Sequence, residues 1–496
     1  ANGAAGDPQP LYLVVEKILA EHEHLPDDWP VHGATGYCFA NLVNGLFVDP
    51  AAERRMSRIH ADFTHADGDF EQLVYDCKKL ILRTALASEL NVLANHLAHI
   101  AAASRDTCDY TVNGLRAALT EVIACFPVYR TYITEAPIAT DDRRYIDWAV
   151  AVARRRHRAA EVGIFDFVRD VLTLDIGAGR GPSYRDQVRA FAMRFQQLSA
   201  PVMAKGLEDT AFYRHHRLVS LNEVGGDPRR FGLSVAAFHG ANRSRAHRWP
   251  HSLLATSTHD SKRAEDVRAR INVLSELPAA WKLTVQRWRR LNRRRKREVG
   301  DRPAPGSGDE YLLYQTLIGS FPLGEVDDAA LADYRRRIDA YMQKAVREAK
   351  ANSSWINVDD EYEAALSGFV EALLTPGESN PFLADLRAVV QHLAGHGLRN
   401  ALAQTLLKLT VPGVPDLYQG SELWQFHLVD PDNRAPVDYA QRRHLLAEVR
   451  ALLDGPPDGW AAALAPLAAD PADERLKPYL TWRALQLRAR RPELFR

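Results

Sequence analysis

Strand-like runs are scarce in this 496-residue sequence, and that scarcity constrains its fold more than any other feature. Three short runs of apolar and β-branched residues read as buried strands: residues 11–15 (LYLVV), 253–258 (LLATST) and the stretch from 409 (LTVPGVP), with a fourth near 31–40. Most of the remainder repeats apolar residues at threes and fours, the spacing of a helix with one buried stripe. A (β/α)8 barrel needs eight strands. The expected fold is therefore α/β by topology and predominantly α by residue count. It is either about half of such a TIM-type barrel with large all-helical insertions, or a mostly helical protein with a few strands.

Taken in order, residues 1–60 hold the first strand-like runs. From 69 to 104, Phe70, Leu73, Cys77, Leu80, Ile81, Leu90, Leu93, Leu97 and Ile100 mark one continuous stripe. Residues 111–126, closed by Pro127, and then 141–158 and 186–198 continue the pattern, so 61–199 reads as a helical insertion. Residues 200–270 hold a polar-aromatic loop and the next strand. A second helical insertion spans 271–395, broken by a Gly/Pro/Ser linker at 300–309, and 396–496 carries the last strand and terminal helices.

Two of the runs deliver carboxylates. Glu16 follows five apolar residues, and His259-Asp260 follows LLATST. Polar groups at the ends of parallel barrel strands are where such barrels keep their chemistry. Burial raises a carboxyl pKa, which would suit Glu16 to general-acid work. The plainer alternative for Glu16 is a strand-end carboxylate paired with a base, and for Asp260 the N-cap of the helix that follows. Residues 205–214 (KGLEDTAFYR) crowd acids, bases and aromatics, a mixture suited to sugar hydroxyls and pyranose faces, or to a salt-bridged loop.

Lys+Arg and Asp+Glu both total 63, so no global field calls for nucleic acid or an anionic membrane. Residues 287–297 (RWRRLNRRRKR) hold eight bases, but with Trp288 alone interleaved they read as a solvated helix face. No window approaches ~20 apolar residues. The opening ANGAAGDPQP has no basic or apolar leader, and the four cysteines lack CxxC spacing, so a cytoplasmic protein with reduced thiols is expected. The pairs His22/His24 and His96/His99 lack partners at zinc spacing, and no GxSxG, P-loop or GxGxxG follows a strand. Neither metal nor cofactor is expected.

Residues 14–19 (VVEKIL), 33–50 (GATGYCFANLVNGLFVDP), 204–228 (AKGLEDTAFYRHHRLVSLNEVGGDP), 257–271 (STHDSKRAEDVRARI), 310–322 (EYLLYQTLIGSFP) and 411–439 (VPGVPDLYQGSELWQFHLVDPDNRAPVDY) resemble the maltooligosyltrehalose synthases of the α-amylase superfamily. The resemblance implies that the chain is the C-terminal half of the barrel. Glu16 then matches the fifth-strand general acid/base, Asp260 the seventh-strand transition-state stabiliser and His259 a sugar ligand. Lys205, Glu208, Asp209, Tyr213, Arg214, Lys262 and Arg434 are the further expected substrate contacts.

The reaction implied is an isomerisation by retaining intramolecular transglycosylation. It converts the reducing-end α-1,4 linkage of a malto-oligosaccharide to an α,α-1,1 linkage, in trehalose biosynthesis and upstream of a trehalose-releasing hydrolase. The family nucleophile is a fourth-strand Asp in an R-x-D-H motif, but here fifteen residues precede Glu16. The nearest imitation, Arg144-Tyr145-Ile146-Asp147, runs into Trp148 inside a helical pattern. The first barrel half and a C-terminal β domain have no counterpart in the motifs matched. These residues are therefore expected to be inactive alone, unless the missing half is supplied in trans. An amylase-type hydrolase and a non-catalytic malto-oligosaccharide-binding fragment are the alternatives.

Overall fold

Four short extended segments lie side by side in the order in which the chain makes them. Val15 bridges Ala34 in parallel, with the Val15 amide on the Gly33 carbonyl (3.0 Å) and the Thr35 amide on the Val15 carbonyl (3.2 Å). The Leu253 amide then reaches the Ala34 carbonyl (3.1 Å), and β1 (Leu253–Leu254) pairs in parallel with Val414–Pro415, β4 of the numbering below. Glycine permits the second contact. A Cβ on Gly33 would sit 2.5 Å from Ser252 Oγ and one on Gly36, at φ 96, 2.5 Å from the Ala255 amide nitrogen, so only a bare backbone approaches this closely. The contacts 33–252 and 36–255 ascend together, so this pair is parallel as well.

The segments are shorter than their apolar runs suggested, and the first is not buried: Leu11, Tyr12 and Leu13 are 76, 51 and 50 % exposed. Helices cover the other members. Leu254 packs with Phe39, Val43, Leu233 and Phe238, and Leu407 and Val411 close around them.

The computed structural model describes residues 11–66, 68–157, 162–177, 179–377 and 380–495. The chain forms two compact units: one from the described residues of Ala1–Ile18, Leu25–Gly68 and His215–Arg496, the other from Leu19–His24 and Asp69–Arg214. Residues 200–214, grouped by sequence with the strand at 253, thus belong to the second unit.

The first unit opens with α1 (Tyr37–Leu46) and α2 (Glu53–Thr64). The second unit then follows as α3 (Phe70–Arg83), α4 (Ala87–Ala102), α5 (Val112–Ala124), α6 (Thr140–Arg156), α7 (Val162–Leu172) and α8 (Pro182–Met203). The single stripe expected over 69–104 is thus two helices. Asp69 caps α3 on the Gln72 amide and Thr111 caps α5 on the Gly114 amide. In α6, Asp141 and Asp142 sit in the first turn and three arginines in the last, complementing the helix dipole. Leu93, Leu97, Leu119, Phe165, Phe191 and Phe195 fill this unit's core.

Back in the first unit come α9 (Val235–Arg248), α10 (Glu265–Glu276) and α11 (Pro278–Asn292). The stretch read as a linker at 300–309 is not one. It belongs to a hairpin of β2 (Arg297–Val299) and β3 (Arg302–Ala304), turned at Gly300 (φ 58), and to the start of α12 (Ser307–Ser320). Next are α13 (Asp328–Ala349), α14 (Asp360–Leu374), α15 (Pro381–Thr410), β4 (Val414–Pro415), α16 (Tyr439–Leu452), α17 (Trp460–Ala469) and α18 (Leu476–Arg490). The boundary expected at 395/396 falls inside α15. The basic run is also not a solvated face throughout: Arg287 pairs with Asp385 (2.8 Å), Lys296 with buried Glu310 (2.6 Å), and Arg289 lies over Phe63.

One buried histidine couples this unit to pH. His60 of α2 packs on the rings of His215 and Tyr311, and burial, helped by Arg217, pushes its imidazole down to about 4. The unfolded chain takes up that proton near pH 6.5 and the folded one near pH 4, so acid favours unfolding in this window. Urea unfolding at pH 7 and pH 5 should show a loss of about 2 kcal/mol from this group, absent in His60→Phe. An equal loss in both proteins would exclude His60 as its source.

Candidate active site

The site grows from the ends of the four parallel segments. The chain leaves β1 through Ala255 and Thr256 and turns at His259-Asp260, with the Asp260 amide on Thr258 Oγ1 (3.1 Å) and the Thr258 amide on Ser261 Oγ (2.9 Å). Asp260 is half-buried and His259 exposed; neither caps a helix, since α10 starts after Ala264. Glu16, at the end of the first segment, is also exposed, so the burial invoked for it is absent.

What brings these groups together is Tyr37, the first residue of α1 and 6 % exposed. Its hydroxyl donates to Glu16 Oε1 (3.3 Å) and accepts from Thr258 Oγ1 (3.5 Å). Burial first, then the charges of Glu16 and Asp260, push this hydroxyl well above the usual tyrosine value against a lowering hydrogen bond from Thr258. Glu16 and Asp260 thus share one phenol as neighbour, although 244 residues separate them in sequence (260 − 16).

The turn is fixed from behind by Glu223. Its Oε1 accepts the Lys262 amide (2.7 Å) and the Val224 amide (3.0 Å), and its Oε2 accepts the Arg263 amide (3.2 Å) and Arg268 Nη1 (2.9 Å). Lys262 itself is 6 % exposed, not on an open surface. Behind Glu223, residues Glu265 and Asp266 are fully enclosed with Lys408 and Lys477. Lys477 Nζ lies 2.8 Å from Glu265 and 2.9 Å from Asp266, while Lys408 Nζ donates to Thr256 Oγ1 (2.7 Å), which also bonds Glu265. Burial pushes the Glu265 carboxyl up, but Lys408 and Lys477 outweigh it and hold that carboxyl below the usual carboxylate range. For Asp266, burial wins and its carboxyl lies above that range. Asp416, just beyond β4, is raised by burial and has Lys408 and Glu265 as its charge neighbours, so it faces this network.

Residues 432–434 flank the turn on its other side. Asn433 Nδ2 donates to the His259 carbonyl (3.1 Å), Tyr418 donates to the Asn433 carbonyl (3.1 Å), and Arg434 beside them is exposed. A small pocket lined by Ser257, Thr258, Ser261, Tyr418, Gln425 and Asn433 opens here. Its lining of hydroxyls and amides encloses a space about the size of one water molecule. Asn433 is 7 % exposed, and among the described residues none donates a hydrogen bond to its Oδ1.

Lys205, Glu208, Asp209, Tyr213 and Arg214 all lie in the second unit. Lys205 is exposed, whereas Glu208 and Tyr213 are buried and Glu208 accepts from Tyr129. Asp147 sits in α6 with Arg169 Nε 2.6 Å from it, an ordinary helix-surface pair.

Sequence reasoning missed Tyr37, Glu223 and Asn433. Each lay in a stretch that carries the family resemblance, but their partners are 21 to 221, 39 to 45 and 174 residues away.

No family model matches the chain. A curated protein named putative maltooligosyl trehalose synthase, from Mycobacterium tuberculosis, is 38 % identical over 436 residues, which is 87 % of this chain and 51 % of that protein. The solved maltooligosyltrehalose synthase of Arthrobacter ramosus superposes with TM-score 0.78 at 35 % identity, over 98 % of this chain and 55 % of its own. A hypothetical maltooligosyl trehalose synthase of Sulfolobus tokodaii gives 0.73 at 30 %, over 98 % and 56 %. Sequence and backbone agree: the chain is a relative of the maltooligosyltrehalose synthases and spans about half the length of those it matches.

Proposed function

We propose that this chain forms part of the active site of an enzyme that isomerises malto-oligosaccharides, converting the reducing-end α-1,4 linkage to α,α-1,1 by intramolecular transglycosylation. In this reading the four-segment parallel ladder is strands five to eight of a (β/α)8 barrel. The observation that carries it is the meeting of Glu16 and the Asp260 turn at Tyr37, at one end of that ladder. Glu16, open to substrate, protonates the leaving glycosidic oxygen and later takes the proton of the incoming anomeric hydroxyl. Asp260 and His259 hold sugar hydroxyls while the oxocarbenium develops. Lys262 and Arg434 of the first unit are the remaining proposed substrate contacts.

Retention requires a nucleophilic carboxylate about 5–5.5 Å from the acid/base. We infer that it comes from a segment outside these 496 residues, laid along the first segment where Leu11, Tyr12 and Leu13 are exposed. The product, a chain ending in a trehalosyl unit, is a substrate for a hydrolase that releases trehalose. The proposed setting is the cytoplasm; among the described residues no helix is long and apolar enough to cross a membrane.

The 496 residues alone should leave the reducing ends of maltopentaose intact. Co-expression with a polypeptide supplying strands one to four and the R-x-D-H aspartate should restore their loss without free glucose. Conversion by the chain alone would sink the shared-site reading, and glucose release by the pair would point to a hydrolase.

A further inference from the structure

We propose that Tyr37 is a positioning residue for the acid/base: its hydroxyl ties Glu16 to the turn that carries Asp260 and holds the two groups in register through both halves of the reaction. This rests on the roles proposed above for Glu16 and Asp260.

The geometry is a one-way chain of donors. The Asp260 amide donates to Thr258 Oγ1 (3.1 Å), Thr258 Oγ1 to the Tyr37 hydroxyl (3.5 Å), and that hydroxyl to Glu16 Oε1 (3.3 Å). Each link leaves the next oxygen's proton free to point onward, and the last proton points at a carboxylate. The anchor is firm. Tyr37 is buried, its helix starts at Gly36 with φ 96, and Asn41 Nδ2 donates to its carbonyl (3.0 Å) and to that of Val224 (2.8 Å), next to Glu223. Glu16, by contrast, is exposed, and the bonds that join its segment to the next one, His32 to Leu13, Val15 to Gly33 and Thr35 to Val15, hold the backbone and not its side chain. Left to itself, an exposed carboxylate samples several rotamers, and a misplacement near 1 Å costs a reaction dearly.

A hydrogen bond donated to a carboxylate favours its ionised form. Glu16 reaches that form when its proton passes to the leaving oxygen, and it starts from that form when it takes the proton of the incoming hydroxyl. Tyr37 therefore stabilises the state between the two transfers without taking up or losing a proton itself. Burial and the two flanking carboxylates keep the phenol protonated, as this task requires.

Tyr37→Phe keeps the ring and removes only the hydroxyl. In the complete protein assayed on maltopentaose, kcat should fall by about tenfold, with KM changed less than about twofold. In the 496-residue chain, the 13C-labelled Glu16 carboxyl, assigned through Glu16→Gln, should change its resonance position and relax as a more mobile group in Tyr37→Phe than in the parent. Parental kcat, or a Glu16 carboxyl with parental resonance position and relaxation, would overturn the proposal. If the parent complete protein makes no trehalosyl product, the functional reading fails instead, and the carboxyl resonance and relaxation alone decide whether Tyr37 holds Glu16.

Discussion

Glu16→Gln in the complete protein should lower kcat on maltopentaose by about 10²–10⁴-fold, the range that a positioned general acid/base contributes. The amide can still accept the Tyr37 hydrogen bond but can neither give nor take the proton. Glu16 is exposed and the glutamine keeps an acceptor for Tyr37, so the melting temperature should stay within about 1–2 °C of the parent's. The assay is loss of reducing ends, with product linkage read by NMR. More than half of parental activity in a folded Glu16→Gln protein would remove Glu16 from the chemistry.

Lys477→Met should be the most destabilising conservative change at the back of the site. It removes the ammonium that lies 2.8 Å from Glu265 and 2.9 Å from Asp266, both 1–2 % exposed, and leaves Lys408 alone against two enclosed carboxylates. Breaking a buried pair on one side costs about 3–5 kcal/mol. The pH dependence has a definite sign. The Lys477→Met protein can shed the unpaired charge by protonating a carboxyl, and Asp266, already raised by burial, is the one to take the proton. The deficit should be largest at pH 7 and shrink as pH falls toward 5. Urea unfolding at both values measures it, and a deficit under about 1 kcal/mol, or one that grows toward pH 5, would show that the network does not lock α18 to α10.

Those two changes mark where the sequence is legible and where it is not. Glu16 and Asp260 stood out because each follows an apolar run, and both runs do end at one side of a parallel ladder. The helical segments were visible for a similar reason. Apolar periodicity, the caps at Asp69 and Thr111 and the charges at the ends of α6 all act within a turn or two of chain. Where reading failed, the deciding partner lay outside the stretch being read. EDVRAR carries four charges and no sign of its burial, yet every residue of 265–275 is buried because Lys477, 211 positions beyond Asp266, pairs with Glu265 and Asp266, and Glu223, 45 before Arg268, pairs with that arginine. The supposed linker at 300–309 became a hairpin and a helix start because Arg297 pairs with Ala304 and Lys296 reaches Glu310.

The sequence by itself determined the local order of this protein: which segments are helical, where they cap, and which carboxylates end apolar runs. Those properties depend on interactions within a few residues. Only the tertiary structure decided that Tyr37 stands between Glu16 and the Asp260 turn and that Glu223 pins that turn. It also decided which of the chain's charges leave water. A buried charge is tolerable only beside a partner, and a partner brought by folding across 45 to 211 residues leaves no mark on the residues around it.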